Sequence, residues 1–454
     1  MTFLHYNIIN KTILKTMERI LMKTVINEAA REILVKYNVD VIVAGGGPAG
    51  IGAALGAARN GAKTLLVEEM NCLGGIATSG MMSHWCGGTV SPITSEIMDR
   101  CQAARWENEI ERPGWVINHE LLKLVFFDMM EEAGVTVLLH TRCADVVKEG
   151  DKVTGVILES KSGREAALAK VVIDATGDGD VAARSGAEYA KGREGDGGMQ
   201  PVTLMFKIGG VDWDNAVFPG SFETRVETPK GELQALAKKL LPPPAGHVLL
   251  YKGTIPGQVV VNMTNLTGID GTSNTDLTRA EITCHRQIPA IINFLHEYVP
   301  GYEHCYHLSS ASVVGVRETR HFKGMYTLNE HDIVEARVFD DWIATQNRFN
   351  FDIHNVEGSG LDKNGAQHHF TCKGSYTIPY GACVPAKIDG LLLSGRNISG
   401  THKAHSNFRV MPICTNIGFG VGVAAAEAVR ENCSVRDVDI KKVQARLEAA
   451  GVTP

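Results

Sequence analysis

One segment, residues 39–68, constrains the possible fold more than any other part of the chain. It reads VDVIVAGGGPAGIGAALGAARNGAKTLLVE. The apolar run 39–44 suits a buried parallel strand, residues 48–60 are small and helix-forming, and the run 63–67 suits a second strand. Because neighbouring parallel strands need a crossover connection, this order predicts a β-α-β unit within an α/β sheet.

The turn between the first strand and the helix carries the pattern G-x-G-x-x-G at Gly45, Gly47 and Gly50. The first glycine permits the tight turn, the second lets a pyrophosphate approach the backbone, and the third allows the helix to pack closely on the strand. Pro48 and Ala49 open a helix whose free N–H groups and positive dipole end favour phosphate. The unit therefore predicts a dinucleotide-binding site.

Glu68 ends the second strand, 18 residues after Gly50. An acidic side chain at this place accepts hydrogen bonds from the hydroxyls of an adenosine ribose and disfavours a 2′-phosphate. The glycine-rich loop 70–88 that follows is longer than a simple crossover needs. Such a loop brings backbone N–H groups beside a second part of a long ligand.

Composition excludes several classes of protein. The chain has 454 residues and a formal net charge of −6, so it lacks the basic surface that nucleic acid binding requires. Its ten cysteines show no metal or iron–sulfur spacing and indicate buried thiols in a reducing cytoplasm. Uninterrupted apolar runs of about 18 residues are absent from the sequence, so no membrane span is predicted. Residues 1–38 lack the apolar centre and cleavage site of a secretory signal; they are interpreted as a non-essential extension, with a transit peptide as the alternative.

Patterns further along the chain extend the predicted sheet. Asn118 is a candidate N-cap for a helix that runs to Glu132. Three short strands over 143–169 alternate with turns, as in an antiparallel meander. A further apolar strand, 170–174, enters the sequence ATGDGD, and the segment 388–400, IDGLLLSGRNISG, contains another strand that ends in a glycine turn.

A second nucleotide-binding unit of this kind is not found in the sequence between Gly186 and Gly390. A separate NAD(P)H domain is therefore not expected, and pyridine-nucleotide disulfide reductases are excluded.

Further helices are expected over 276–298, 330–347 and 416–429. The predicted fold is α/β, a Rossmann-like domain with a parallel sheet plus a small antiparallel meander and an inserted α+β substrate domain. The predicted domains are residues 1–38 (extension), 39–186 (first part of the binding domain), 187–385 (inserted domain), 386–434 (return of the binding domain) and 435–454 (C-terminal helix).

Several segments together resemble a known family. They are the β-α-β unit, the Gly74-Gly75 loop, the meander, ATGDGD at 175–180, and GLLLSGRNISG with RVMPICTNIGFGVGVAAAEAV near the C-terminus. The chain resembles FAD-dependent oxidoreductases of the succinate dehydrogenase/fumarate reductase-like group. VVGVRETRHFKGMYTL and IPYGACVP are similar to segments of a bacterial subfamily of undefined substrate. The resemblance spans nearly all of residues 39–430 and implies FAD as the cofactor.

This resemblance implies cofactor contacts in separate segments. The glycine turn would hold the pyrophosphate, Glu68 the adenosine ribose, the loop from Gly74 the ribityl and phosphate region, and Ala144 the adenine through its backbone. ATGDGD would close over the ADP half, while Gly395 and the start of the last helix would face the ribityl chain and flavin ring. A helix N-terminus there would stabilise negative charge on the reduced flavin. The implied cofactor-binding residues are Gly45, Gly47, Pro48, Ala49, Gly50, Glu68, Gly74, Gly75, Ile76, Ala144, Ala175, Thr176, Gly177, Asp178, Gly395, Asn397, Asn416 and Gly418.

Four charged or titratable residues near the inferred flavin, Arg317, His354, His402 and Arg409, are the candidate catalytic residues. Flavin chemistry needs a substrate hydrogen near the flavin and an acid or base for the accompanying proton. An arginine is also suited to clamp a substrate carboxylate. The alternative roles are structural: an ion pair between Arg317 and Glu318, and histidines that are satisfied in the interior.

The expected function is that of an FAD-dependent oxidoreductase that transfers hydride between flavin N5 and a small organic substrate. The substrate is expected to be anionic if one of the arginines binds it. The sequence does not identify the electron donor or acceptor, and it leaves a homo-oligomer open. The alternative is a non-redox FAD protein, such as a hydratase, an isomerase or a binding component of a complex; a plain NAD dehydrogenase ranks third. No metal is predicted, because His402-x-x-His405 has no third ligand in view.

Overall fold

The structure, a computed structural model, describes residues 26–87, 89–110 and 115–454. Residues 35–454 form one compact unit, which contains every site residue predicted from the sequence. Residues 1–25, which make up most of the predicted extension, lie outside the described residues, so the interpretation of that extension stays a prediction.

The described residues form the following strands and helices. The strands are β1 (Leu34–Ala44), β2 (Thr64–Val67), β3 (Thr136–Leu138), β4 (Arg142–Glu149), β5 (Lys152–Ser160), β6 (Gly163–Asp174), β7 (Tyr189–Lys191), β8 (Phe206–Gly209), β9 (Glu227–Thr228), β10 (Gly231–Glu232), β11 (Leu250–Lys252), β12 (Val259–Val261), β13 (Tyr306–Ser310), β14 (Arg320–Phe322), β15 (Trp342–Asn347), β16 (Tyr376–Pro379) and β17 (Leu391–Leu393). The helices are α1 (Pro48–Arg59), α2 (Pro92–Ala103), α3 (His119–Glu132), α4 (Asp180–Ser185), α5 (Leu233–Leu240), α6 (Asn274–Tyr298), α7 (Glu330–Val334), α8 (His402–Phe408), α9 (Met411–Glu431) and α10 (Ile440–Ala449).

The main sheet has the strand order β3-β2-β1-β6-β5-β4, and β17 pairs with β6. β2 lies parallel to both β1 and β3, while β4, β5 and β6 are antiparallel neighbours. α1 connects β1 to β2, because two parallel strands cannot be joined by a tight turn. The predicted α/β class, with a Rossmann-like parallel sheet and an antiparallel meander, is confirmed.

β6 joins the two parts of this sheet. Its residues 163–168 pair with β5, and its residues 172–174 pair in parallel with β17. The sequence predicted two strands here, 164–169 and 170–174, but the chain runs through them as one. After Gly163 the segment contains no glycine, proline or other turn signal that would break a strand.

Two helix boundaries differ from the sequence expectations. α9 begins at Met411 rather than at Asn416, with Pro412 in its first turn, where the fixed φ of proline suits a helix start. The helix expected over 330–347 is helical only in α7. Its last third is β15, which pairs with β16 and is almost wholly buried. Tertiary pairing therefore overrides the local pattern at this position.

α1 and α9 pack against each other through their backbones. A Cβ atom on Gly418 of α9 would lie 2.0 Å from the carbonyl oxygen of Ala49, and one on Gly52 of α1 would lie 2.1 Å from the carbonyl oxygen of Thr415. Four glycines, two on each helix, leave this room: Gly52, Gly56, Gly418 and Gly422. Any other residue at these positions would force the helices apart.

A second apolar core lies in the inserted region. Its members come from residues 202–316, chiefly from the sheet β11-β12-β8-β13 and from α6. Residues 322–384, which belong to the same predicted insertion, pack into the first core with the main sheet. The change from one core to the other therefore falls at residues 317–321, which include the predicted catalytic Arg317.

α9 is long and apolar enough, by length and composition alone, to cross a membrane. In the structure 94 % of its most apolar window is buried inside the protein. The buried residues run from Met411 to Ala428, so the place of this helix in the core accounts for its apolar composition.

We expect Gly418→Ala to lower the melting temperature of the protein. The added methyl group would lie 2.0 Å from the carbonyl oxygen of Ala49, so α1 and α9 would have to separate. Overpacking of this kind costs about 1–3 kcal/mol. Gly358→Ala is the matched control, since its methyl group would meet only Asn355, at 3.7 Å. Equal melting temperatures for the two variants would contradict this account of the helix pair.

Candidate functional site

Four loops meet around the first turn of α1. A Cβ atom on Gly45 would lie 2.5 Å from the carbonyl oxygen of Ala175, in the loop after β6, and one on Gly75 would lie 3.1 Å from Cα of Gly47. The loop after β17 joins them, because a Cβ atom on Gly395 would lie 2.8 Å from the first turn of α1. These loops follow the carboxyl ends of parallel strands, the edge where α/β sheets bind their ligands. Together they form what we call the cofactor crevice.

The start of α1 fits a diphosphate. A Cβ atom on Gly47, the N-cap residue, would meet nothing within 4 Å, so open space lies above the helix end. Among the described residues no side chain caps this helix, and Pro48 follows the cap directly. The first-turn N–H groups of Ala49 and Gly50 therefore need an external acceptor, which a diphosphate provides. Gly50 also sits tightly on the turn, since its Cβ atom would lie 1.8 Å from the carbonyl oxygen of Gly45.

Glu68 lies at the end of β2 with only 7 % of its surface exposed. Its Oε2 accepts the N–H of Gly46 at 2.6 Å, and its Oε1 accepts the N–H of Met70 at 2.7 Å. Burial raises the pKa of Glu68, although these two hydrogen bonds act in the opposite direction. Each oxygen keeps a lone pair, so the fixed carboxylate is still able to accept two ribose hydroxyls.

The loop after β2 and the strand β4 line the crevice with backbone. Gly74 donates its N–H to the carbonyl oxygen of Gly46 at 2.7 Å, and Ile76 lies in the short 3₁₀ turn that follows. In β4 the pairing with β5 skips Ala144, so the ladder is irregular there. The irregularity thus falls at the residue predicted to contact adenine through its backbone.

The ATGDGD segment is held by protein partners. Thr176 donates its hydroxyl to Asp174 at 2.7 Å, and the carboxylate of Asp178 accepts hydrogen bonds from Thr319 at 2.7 Å and Arg396 at 3.0 Å. Gly177 has a φ of +82° and lies against the Arg396 guanidinium. The Thr176 and Asp178 side chains therefore shape the crevice wall.

Three predicted cofactor residues, Asn397, Asn416 and Gly418, contact other parts of the protein. Asn397 donates to the carbonyl oxygen of Asp174 and accepts from the N–H of Ser394, so it ties β6 to β17. Asn416 is buried inside α9 and donates to the carbonyl oxygen of Thr345. Gly418 lies in the contact between α1 and α9. α9 begins at Met411, five residues before the predicted start at Asn416, so both residues lie within the helix. Their contacts with the cofactor stay a prediction.

Two of the four predicted catalytic residues, His354 and Arg409, contact Asp352, and a third, Arg317, lies within range of its charge. Nη2 of Arg409 donates to the carbonyl oxygen of Asp352 at 2.8 Å and to its Oδ2 at 2.9 Å. Nε2 of His354 lies 3.3 Å from the same Oδ2. Arg317 donates from Nη1 to the carbonyl oxygen of Pro201 and feels the charges of Arg409 and Asp352. We call Arg317, Asp352, His354 and Arg409 the guanidinium cluster.

The guanidinium cluster carries more positive than negative charge. Burial acts to raise the pKa of Asp352, but His354 and the two arginines outweigh it and hold that pKa well below its usual range. Burial, together with Arg409, lowers the pKa of Arg317 to about 10. Burial, together with Arg317, lowers the pKa of His354 to about 4. At pH 7 two guanidinium charges therefore stand against one carboxylate, with a neutral imidazole.

The cluster lies beside the cofactor crevice. Arg409 is the C-cap residue of α8 and lies two residues before α9 begins at Met411. A Cβ atom on Gly315, two residues before Arg317, would lie 3.0 Å from the side chain of Ile76 in the crevice. A Cβ atom on Gly87 would lie 3.8 Å from Val410 at the start of α9. The loop after β2 thus connects the cofactor-binding turn to the charged residues.

His402, the fourth predicted catalytic residue, belongs to a different group. Its Nδ1 lies 2.6 Å from Oε1 of Glu318, and Nε2 of His321 lies 2.8 Å from the same oxygen. The rings of His321 and His405 lie 4.7 Å apart. We call Glu318, His321, His402 and His405 the imidazole cluster. Burial acts to raise the pKa of Glu318, but hydrogen bonds from His321 and His402 outweigh it and hold that pKa well below its usual range.

Arg317 and Glu318 therefore do not form the ion pair considered from the sequence; Arg317 joins the guanidinium cluster and Glu318 the imidazole cluster. Gln200 connects the two clusters, since its N–H donates to Oε2 of Glu318 at 3.1 Å and its Oε1 accepts the N–H of His354 at 3.1 Å. Gln200 was not predicted from the sequence, because it lies in no motif. Tyr251 was not predicted either; its ring packs 4.8 Å from His84, and its phenol lies near the charges of the guanidinium cluster.

Comparison with known protein families decides the class of the protein. The family described as FAD dependent oxidoreductase matches residues 40–447 of the chain. The chain belongs to the FAD dependent oxidoreductase family. It is an enzyme of that class with FAD as its cofactor, as the resemblance in the sequence implied, and the crevice fits this cofactor at the start of α1.

Parts of this oxidoreductase are also similar to parts of curated proteins. A thiamine thiazole synthase of Aeropyrum pernix is 37 % identical over 127 residues, which cover 26 % of this chain and 43 % of that protein. A digeranylgeranylglycerophospholipid reductase of Picrophilus torridus is 28 % identical over 158 residues, which cover 31 % of this chain and 40 % of that protein. The oxidoreductase thus spans less than half the length of each. The solved structure of a geranylgeranyl bacteriochlorophyll reductase-like protein from Thermoplasma acidophilum aligns over 91 % of this chain and 83 % of its own, with 14 % identity and a TM-score of 0.47.

We expect Glu68→Ala to weaken FAD binding by about 10- to 100-fold. The substitution removes a fixed, buried acceptor for the ribose hydroxyls, a loss of about 1–3 kcal/mol. Titration of the apoprotein with FAD, followed by flavin fluorescence, measures the change in Kd. Glu69→Ala is the matched control, because the neighbouring Glu69 side chain is 63 % exposed and forms a long ion pair with Arg142 at 4.0 Å. Equal Kd values for both variants would remove Glu68 from the site.

Proposed function

We propose that this oxidoreductase transfers hydride between FAD and a small organic substrate that carries an anionic group. The observation that carries the proposal is the charge of the guanidinium cluster, in which Arg317 and Arg409 stand against the single carboxylate of Asp352. A buried surplus of positive charge is costly unless an anion compensates it. A substrate carboxylate, or another anionic group of similar size, supplies the missing charge.

Arg409 has the geometry of a substrate clamp. Its Nη2 is fixed by two hydrogen bonds to Asp352. Its Nε is buried and has no hydrogen-bond partner among the described residues. Arg409 thus combines a fixed position with a donor that a ligand is able to use, which favours an oriented anionic substrate beside the cofactor crevice.

His354 is the proposed proton acceptor. Because the Asp352 carboxylate is ionised, it favours the hydrogen on Nε2 of His354, 3.3 Å away, and leaves Nδ1 as the acceptor. Oxidation of a substrate C–H bond beside a hydroxyl or amino group releases one hydride and one proton. Nδ1 of His354 takes the proton, and FAD held in the cofactor crevice would supply the hydride acceptor. In the reverse direction the protonated imidazole returns the proton.

The finer family assignment is also part of the proposal. The segments ATGDGD, GLLLSGRNISG and the glycine-rich C-terminal helix support the succinate dehydrogenase/fumarate reductase-like group. An anaerobic screen with small carboxylic acids and their corresponding amides tests the substrate class through the loss of oxidised-flavin absorbance. We expect acids to reduce the flavin faster than their amides. Equal rates for acids and amides would overturn the anionic substrate.

We expect Arg409→Met to retain FAD but to reduce its flavin at least about 10²-fold more slowly with an acid substrate, because the clamp that orients the anionic group is lost. The preference for the acid over its amide should fall as well, since the effect is on charge recognition. Stopped-flow measurement of flavin reduction under anaerobic conditions gives both rates. Arg279→Met, at a half-exposed position on α6, is the control. An unchanged preference for the acid in Arg409→Met would exclude Arg409 as the clamp.

A second prediction concerns pH. Above pH 6 His354 is neutral and accepts a proton; as the pH falls through its pKa of about 4 it becomes protonated, so the rate of substrate oxidation should fall on the acid side. His354→Gln should lower the rate by about 10²- to 10⁴-fold and remove this acid limb. His285→Gln, on the exposed face of α6, serves as the control. If the oxidation rate of His354→Gln still falls at low pH as in the wild type, another group accepts the proton.

A further inference from the structure

The imidazole cluster takes no part in the proposed reaction, yet it gathers three histidines and a carboxylate in the interior. His405 is 1 % exposed, Glu318 is 1 % exposed and His321 is 8 % exposed. One carboxylate oxygen of Glu318 and one ring nitrogen each of His321 and His405 lie within 4.8 Å of one another. Atoms this close need only small side-chain rotations to reach a single ion at coordination distances of about 2.0–2.2 Å.

Two ring nitrogens in this cluster have no hydrogen-bond partner. Nδ1 of His321 and Nδ1 of His405 are both buried and unpaired among the described residues. A buried imidazole nitrogen without a partner costs free energy, so such atoms require a physical reason. A cation held by the lone pair of His405 provides that reason, because a ligating histidine uses one nitrogen for the ion and the other for a hydrogen bond. His321 faces Glu318 through its Nε2, so it joins the same ion through that nitrogen, in place of the present hydrogen bond.

We propose that Glu318, His321 and His405 bind one divalent first-row transition-metal ion, Zn²⁺ or Fe²⁺ by the chemistry of the ligands. Two imidazoles and one carboxylate suit these ions and leave further coordination positions for water or another ligand. Ca²⁺ and Mg²⁺ are disfavoured, because they prefer oxygen ligands. The site lies outside the guanidinium cluster, so the proposal extends beyond the proposed function and does not depend on it.

His402 acts in this site as a positioning residue. Its Nδ1 lies 2.6 Å from Oε1 of Glu318. On the other side of the carboxylate, the N–H of Gln200 donates to Oε2 at 3.1 Å. The two contacts fix the plane of the carboxylate, and partners of this kind orient metal ligands in known metal sites. The same Gln200 accepts the N–H of His354, so the metal site and the guanidinium cluster share one buried support.

The cluster has a route to solvent. His321 lines a surface groove of about 720 Å³, together with Lys191, Glu194, Ser399 and Thr401. Glu194 accepts the N–H of His402 at 3.0 Å, so this acidic side chain lies at the entrance to the cluster. A groove that ends at a ligand supplies the entry path that a buried metal site needs.

Metal titration of the FAD-loaded, full-length protein tests the proposal. The protein is stripped with EDTA, desalted and titrated with Zn²⁺ in the presence of a chromophoric chelator, and Co²⁺ is used in parallel because its d–d bands report the coordination geometry. We expect one strongly bound equivalent of Zn²⁺ per chain. Glu318→Gln and His405→Ala should each lose that equivalent, while His285→Ala on the exposed part of α6 should keep it.

His402→Ala gives the second test, which separates positioning from coordination. It should retain the site but bind Zn²⁺ about 10- to 100-fold more weakly. FAD content and melting temperature show whether each variant is folded. If His405→Ala is not folded, Glu318→Gln decides whether the metal site exists, because it keeps the shape of the side chain. A wild-type protein that binds no equivalent of either Zn²⁺ or Co²⁺, or a Glu318→Gln variant that binds as many equivalents as the wild type, would overturn the proposal.

Discussion

The backbone contact between α1 and α9 is the constraint on which the rest of the structure depends. Because Gly52 and Gly418 place no side chain between the helices, α9 is held against the first turn of α1. That contact reaches Ala49, in the turn that fits a diphosphate. It also brings Arg409, just before α9, to the crevice that the β-α-β unit begins. A cofactor site assembled from the two ends of the chain requires such a close approach.

The second organising feature is the segment between the two apolar cores. In an extended backbone, neighbouring side chains point to opposite sides. Arg317 and Glu318 follow this rule, so one short stretch supplies a cation to the guanidinium cluster and a carboxylate to the imidazole cluster. Gln200 spans the space between the two clusters with its backbone and side chain. Two buried charged groups are thus held at fixed positions by a few shared residues.

Local patterns in the sequence predicted the cofactor half of the molecule well. The β-α-β unit, the meander and α3, with its N-cap at Asn118, follow from turn glycines, apolar alternation and capping chemistry. The predicted boundary was wrong where tertiary packing decides where a helix begins. The run of small residues after Asn416 indicates a helix there, but it does not show that α9 already begins at Met411. The grouping of charged residues was also not predictable, because Glu318 and His402 are 84 positions apart in the chain and no local pattern connects them.

The most direct test of the account is a crystal structure of the FAD-loaded protein. The account predicts the diphosphate on the N–H groups of Ala49 and Gly50 at the start of α1, and the flavin ring beside Arg409. Both placements follow from the meeting of four loops around α1 and from the position of the guanidinium cluster. A diphosphate bound away from the start of α1, or a flavin ring with no residue of the guanidinium cluster beside it, would contradict the account.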